Sequence, residues 1–155
     1  MGGRAQPGLD DRPRRIGRAL SEGYSGTPLP RKLGVAEGAT FAVAGDPGHV
    51  DELLSPLPTG ARRVESPDEA DVVLFFTTER DELEREIQPL GAAIFPDRML
   101  WIAWPKRASK VPTDVTEDVV RDVALPLGLV DVKVAAIDTT WSGLKLVWRR
   151  ERRSG

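Results

Sequence analysis

The sequence contains no cysteine among its 155 residues. Disulfides, thiolate nucleophiles, zinc ribbons and iron–sulfur clusters are therefore excluded together, because each of them depends on cysteine sulfur. His49 is the single histidine, so there is no second imidazole to form a histidine pair at a metal. A cysteine-free chain is compatible with the reducing interior of a cell.

Long apolar runs are also missing. No window approaches the roughly 18 uninterrupted apolar residues that a membrane span requires. The Arg-rich N-terminus lacks the apolar segment of a signal peptide. We therefore expect a cytoplasmic protein with no membrane partner. Its length and its 40% hydrophobic content are typical of one globular domain.

Charge is unevenly distributed, although the formal net charge is only -2. Residues 1–20 carry five Arg against two Asp, and residues 149–153 carry four Arg against one Glu, which leaves an acidic body. A nucleic-acid-binding surface is basic, so an acidic body makes nucleic acid an improbable partner. We expect a disordered basic tail at 1–22 and a second basic tail at 151–155.

Short apolar runs alternate with helical patterns along the chain. The run Leu-Trp-Ile-Ala-Trp-Pro-Lys at 100–106 is typical of a strand buried on both faces. Helices are predicted to follow the capping residues Asp46, Thr78 and Asp114. The other predicted strands span residues 40–44, 61–65 (weak), 70–76, 132–137 and 144–149.

This order predicts a three-layer α/β fold with a mostly parallel, Rossmann-like sheet of methyltransferase-like topology. The last two strands are joined by a short connection, so they are expected to pair antiparallel, with the C-terminal strand at the edge. The predicted single domain spans 23–150. It begins with an extended arm at 23–38, including one helical turn, and continues with the sheet and helices of 39–150.

Ligands of such sheets bind beyond the carboxyl ends of the strands. His49 shows no partner in the sequence, so no general base is assigned, and neither catalytic residues nor metal ligands are predicted. The lysines that follow the central strand fit a small anionic ligand, although such a pattern is more often an ordinary solvated loop. The predicted binding residues at this edge are Gly45, Asp46, Glu65, Thr77, Trp104, Lys106, Lys110, Asp138 and Trp141.

The turn Ala-Gly-Asp-Pro-Gly-His at 44–49 has two interpretations. In a dinucleotide or methyl-donor site, its glycines would approach the ligand, and Glu65, which lies 20 residues beyond Gly45, would bind ribose hydroxyls. However, the turn has only two glycines, Pro47 lacks an N–H, and Asp46 brings a negative charge. The sequence therefore favours an ordinary capped helix start.

Four segments together resemble a known family. They are Gly-Tyr-Ser-Gly-Thr-Pro-Leu at the start of 23–34, Trp-Ile-Ala-Trp-Pro-Lys at 101–106, the stretch 113–121, and Asp-Thr-Thr-Trp-Ser-Gly-Leu-Lys-Leu-Val-Trp-Arg at 138–149. The sequence resembles a small bacterial domain-of-unknown-function family, number 3052, that is common in actinobacteria. The resemblance covers 23–149. It implies these domain limits but no reaction, cofactor or catalytic residue.

Three functions are compatible with these features. Because a complete glycine loop and an acid–base pair are lacking, the sequence predicts a non-enzymatic module, without a cofactor, that binds a small anionic ligand or a protein. The alternative is a divergent methyltransferase that uses S-adenosylmethionine, on the strength of the topology, Gly45, Gly48 and Glu65. A third interpretation is an interaction protein that acts through its arm (23–35) and its basic tails.

Overall fold

The computed structural model describes residues 27–153, so the predicted tail at 1–22 lies outside the described residues. Within this range no helix is both long enough and apolar enough to cross a lipid bilayer. The helices are α1 (Leu29–Lys32), α2 (Val50–Leu54), α3 (Arg80–Ile94) and α4 (Glu117–Ala124). The strands are β1 (Thr40–Ala44), β2 (Arg62–Arg63), β3 (Val72–Phe76), β4 (Met99–Pro105), β5 (Leu129–Ala136) and β6 (Trp141–Trp148).

The six strands form one sheet in the order β2-β1-β3-β4-β6-β5. The first four are mutually parallel, and β6 pairs antiparallel with both β4 and β5. The predicted α/β fold, with a mostly parallel sheet and an antiparallel C-terminal strand, is confirmed. The C-terminal strand β6 lies one position inside the edge, however, and β5 forms the outer edge.

Two apolar clusters, one on each face of the sheet, make the fold three-layered. All five residues of β3 are buried, as a strand covered on both faces requires. Alternate residues of β4 belong to different clusters: Ile102 and Trp104 pack with α3 and α4, whereas Trp101 and Ala103 pack with α1 and α2. Both faces of the central strands are therefore covered by packed side chains.

The helices begin later than their predicted capping residues. Helix α2 starts at Val50 rather than after Asp46, because Gly48 has a φ of 108° and interrupts the helical path. Helix α4 starts at Glu117, capped by the Thr116 hydroxyl, which accepts a hydrogen bond from the Val119 N–H at 3.2 Å. The extra residues leave two ordered loops at the carboxyl rim of the sheet.

The segment before β1 is fixed on the sheet by a buried contact. Leu33 and Val35 are fully buried, and the indole N–H of Trp101 donates a 2.8 Å hydrogen bond to the Leu33 carbonyl. This contact joins residues that are 68 positions apart in the chain. The short helix α1 and the residues after it therefore cover one face of β4.

Candidate functional site

The predicted binding residues all lie on one rim of the sheet, where the parallel strands end. Gly45 and Asp46 follow β1, and Glu65 lies two residues beyond β2. Thr77 follows β3 directly. The remaining residues are at the end of β4 and around the β5–β6 turn: Trp104, Lys106, Lys110, Asp138 and Trp141.

Gly45 is a tightly packed position in the turn after β1. Its φ is 66°, and a methyl carbon built on it would lie 2.2 Å from the Phe76 carbonyl oxygen at the end of β3. Only glycine can therefore bring β1 and β3 this close together here. At Gly48, by contrast, a methyl carbon would have no other atom within 4 Å. This second glycine faces open space at the rim.

Asp46 is engaged by its own turn and by a neighbouring arginine. Its carboxylate accepts the Gly48 N–H at 2.7 Å and pairs with the Arg63 guanidinium at 2.9 Å. The Gly48 hydrogen bond lowers the pKa of Asp46; burial acts in the opposite direction, and Arg63 adds to the lowering. Arg63 also binds Asp51 at 3.1 Å. The negative charge at the turn is thus compensated within the protein.

A cavity of about 560 Å³ opens beside this ion-paired group. It is lined by Val43 of β1, by Asp51 of α2, and by residues 63–65. The exposed Glu65 carboxylate at its wall has no hydrogen-bond or ion-pair partner within residues 27–153. The cavity has the volume of a typical small-molecule site. Its one unpaired acid is free to accept hydroxyl hydrogen bonds.

His49 has a partner that the sequence did not reveal. Its Nε2 lies 2.9 Å from a carboxylate oxygen of Asp138, in the β5–β6 turn. The other Asp138 oxygen accepts the backbone N–H groups of Thr140 at 2.8 Å and Trp141 at 2.7 Å. The sequence shows no partner for His49, and the fold supplies one. The two residues are 89 positions apart, and no local pattern indicates that they meet.

Asp138 is an anchored carboxylate. Burial would raise its pKa, but the hydrogen bond from His49 and those from the Trp141 and Thr140 N–H groups outweigh burial, so the pKa is lowered. A carboxylate with a lowered pKa stabilises the folded state above its unfolded pKa. That contribution is lost as the pH falls through the lower folded value.

Replacing Asp138 with asparagine is expected to reduce the free energy of unfolding by about 1–2 kcal/mol at neutral pH, since one charged hydrogen-bond acceptor is lost. The deficit should shrink as urea unfolding is repeated below pH 3.8, the ordinary value for this carboxyl. The exposed Asp97, changed to asparagine in the same way, is the control and should show little deficit at any pH. An Asp138→Asn deficit that stays constant with pH would contradict this account.

Two other predicted residues have structural contacts at the same rim. Thr77 is 2% exposed. Its hydroxyl donates a hydrogen bond to the Glu82 carboxylate at 2.6 Å and accepts one from the Glu79 N–H at 3.2 Å, so it orders the loop before α3. The Trp141 ring packs edge-on against Phe76, with ring centroids 5.1 Å apart. Trp141 thereby connects the Asp138 turn to the end of β3, next to Gly45.

The residues after β4 surround a second opening. Trp104 and Lys110 line a cavity of about 450 Å³, whereas Lys106 is not among its lining residues. The Lys106 N–H instead donates to the Thr140 carbonyl at 2.7 Å. The structure thus divides the predicted residues between the Glu65 cavity, the His49–Asp138 pair and the cavity beside Trp104. Within 27–153 no group of three or more acidic or histidine side chains is arranged to hold a metal.

The fold and this rim define a Rossmann-like α/β protein with a six-stranded, mostly parallel sheet. No family model matches the sequence, and no curated protein matches it either. Among solved structures, a SAM-dependent methyltransferase from Aquifex aeolicus is similar, with 13% identity over 76% of this chain and 86% of that chain and a TM-score of 0.52. A protein from Sulfolobus solfataricus named as a type 11 methyltransferase has 12% identity over 78% of this chain and 89% of that chain, with a TM-score of 0.54.

These similarities bear on the predicted function. The prediction of a non-enzymatic binding module is contradicted, because the similar structures are named as methyltransferases, which agrees with the alternative interpretation. At this level of identity the likeness establishes the fold. The family resemblance at 23–149 stays a prediction.

Proposed function

We propose that the protein binds S-adenosylmethionine at the cavity beside β1 and β2 and acts as a methyltransferase. The observation that carries the proposal is the unpaired Glu65 carboxylate on the wall of that cavity, at the end of the second strand of a sheet with this order. A carboxylate at this position suits the two hydroxyls of a ribose. S-adenosylmethionine, when bound, supplies an electrophilic methyl group.

The residues present fit the adenosine half of this molecule. The cavity is large enough for a nucleoside, and Val43 and Val64 give it apolar lining. Gly48 leaves open space at the turn. The Gly48 N–H, however, is already donated to Asp46, so this turn offers a ligand fewer backbone donors than a glycine-rich loop does. Glu65 is therefore expected to supply much of the affinity.

The His49–Asp138 pair gives the same rim a proton acceptor. Because the Asp138 carboxylate accepts from Nε2 of His49, the neutral form of this imidazole carries its lone pair on Nδ1, which has no hydrogen-bond partner within residues 27–153. The His49 side chain is 39% exposed and so accessible to a molecule bound at the rim. Nδ1 would take the proton that a hydroxyl or amine loses as it is methylated. Asp138 acts through His49 as a positioning residue.

The test is calorimetric titration of the protein with S-adenosylmethionine and with its demethylated product. Glu65→Gln is expected to weaken binding about tenfold or more, because a charged hydrogen-bond acceptor is lost. Glu69→Gln is the matched control: this exposed acid precedes β3, at the opposite end of the sheet, and should bind as the unmodified protein does. Absence of binding by the unmodified protein, or equal binding by Glu65→Gln, would overturn the proposal.

A further inference from the structure

The second cavity, beyond the end of β4, has the features of a separate ligand site. It measures about 450 Å³ and shares no lining residue with the cavity beside Glu65. Its walls combine aromatic, aliphatic and basic side chains. The lining residues are Trp104, Pro105, Arg107, Lys110, Val111, Pro112, Thr113, Val115 and Thr116.

Trp104 contributes a buried donor without a partner. Its side chain is 7% exposed, and its indole N–H makes no hydrogen bond within residues 27–153. The indoles of Trp101 and Trp148, in contrast, donate to the carbonyls of Leu33 at 2.8 Å and Gly91 at 2.9 Å. An unpaired buried N–H costs free energy that a bound acceptor would recover.

Two cations at this cavity are also unpaired. Arg107 and Lys110 form no ion pair within the described part of the chain. Lys110 has a φ of 64°, the one positive value outside glycine among residues 27–153, and such backbone strain is concentrated at functional sites. The neighbouring acids are already engaged: Asp114 accepts the Arg80 N–H at 2.7 Å, and Glu117 pairs with Arg121. Neither acid therefore forms an ion pair with Arg107 or Lys110.

The hydroxyls of Thr113 and Thr116 at the cavity form hydrogen bonds within the protein, which limits the kinds of ligand that the cavity can bind. Thr113 donates to the Thr78 carbonyl at 2.6 Å and accepts the Val115 N–H at 3.0 Å. Thr116 caps α4. The groups left for a ligand include the Trp104 N–H, the two cations, and the apolar surfaces of prolines and valines. These groups suit an anionic ligand that carries a planar apolar ring.

We propose that this cavity binds a small molecule in which a phosphate or carboxylate is attached to a planar ring. The ring lies against the apolar wall of prolines and valines, and the anionic group accepts the Trp104 N–H and faces Arg107 and Lys110. The site does not depend on methyl transfer or on binding at Glu65. A test of anion binding at this cavity is therefore independent of any test of the methyltransferase function proposed above.

The experiment is a titration of the 15N-labelled protein with phenyl phosphate and benzoate, which separate the two anion types, and with neutral phenol. The indole N–H signals are followed by NMR, and a Trp104→Phe variant identifies the Trp104 signal. Phenyl phosphate or benzoate should shift that signal at lower concentration than phenol does. Lys110→Asn removes the cation with a residue that tolerates positive φ, and it should weaken anion binding about tenfold.

Lys145→Gln is the matched control, because it removes one positive charge on the other face of the sheet. Its affinity for phenyl phosphate should equal that of the unmodified protein. Three results would each overturn the proposal. They are an unmoved Trp104 signal with both anions, equal affinity for phenol and the anions, and unchanged affinity in the folded Lys110→Asn variant. Urea unfolding of each variant verifies that it folds.

Discussion

Replacing Gly45 with alanine is expected to lower the free energy of unfolding by about 3–4 kcal/mol, since a clash with backbone adds to the strain of a positive φ. The new methyl carbon would lie 2.2 Å from the Phe76 carbonyl oxygen. That oxygen belongs to the backbone of β3, which pairs with β4 through Phe76 and Ala103. It cannot move away as a side chain would. The end of β1 or β3 must shift instead.

Gly48 provides the control for this substitution within the same turn. Its φ of 108° also disfavours alanine, but the added methyl carbon would meet no other atom within 4 Å. Gly48→Ala should therefore cost only about 1–2 kcal/mol, from backbone strain alone. Urea unfolding of both variants measures the difference. Equal losses would show that the approach of β1 to β3 does not depend on glycine.

Gly45→Ala should also affect the two proposed binding sites differently. A shift of the turn would disturb His49, four residues after Gly45, and the Trp141 ring packed on Phe76. The cavity beside Trp104 shares no lining residue with the cavity beside Glu65 and should still bind phenyl phosphate if the variant folds. Loss of adenosyl binding without loss of anion binding is the expected pattern.

The central strands could be predicted from sequence because burial on both faces leaves a local pattern. Strand β3 is one continuous apolar run, and the apolar run of β4 ends at Pro105. Glu65 was placed at this rim because it ends the weak predicted strand at 61–65, of which Arg62–Arg63 forms β2. These features depend on residues adjacent in the chain.

The position of β6 could not be predicted in this way. A hairpin of β5 and β6 keeps the same contacts between its strands whichever of them is outermost. The C-terminal strand was predicted to lie at the edge. In fact Val132 and Val134 are 54% and 48% exposed at the edge, whereas Leu144 and Leu146 of β6 are fully buried. Pairing with β4, more than 35 residues earlier in the chain, decides the order.

The His49–Asp138 pair was missed for a related reason. A histidine beside a helix start has no sequence signal for a carboxylate 89 residues away. Their meeting requires the β5–β6 turn to lie at the same rim as the turn after β1. The unpaired Trp104 N–H is equally invisible in sequence, because the absence of a partner is a property of the assembled core. Both features of the site arise from tertiary contacts between distant parts of the chain.

Replacing Trp101 with phenylalanine is expected to lower the free energy of unfolding by about 3 kcal/mol. The buried ring becomes smaller, and the Leu33 carbonyl loses its hydrogen-bond donor. Trp101 is fully buried, and its indole bond to Leu33 is the contact that fixes the segment after α1 on the sheet. Leu33 and Val35 are buried together with it. The loss should therefore have a local component as well as a global one.

Amide hydrogen exchange separates the two components. In Trp101→Phe the Val35 N–H, which donates to the Pro30 carbonyl at 2.7 Å, should exchange faster by more than the global destabilisation accounts for. Trp148→Phe is the matched control: it also removes an indole donor, to Gly91, but at a partly exposed ring on the other face. It should leave the exchange of Val35 changed only in proportion to its own smaller loss of stability. Uniform acceleration in Trp101→Phe would mean that the Leu33 bond adds nothing to ordinary core packing, and that residues 29–35 are held by burial alone.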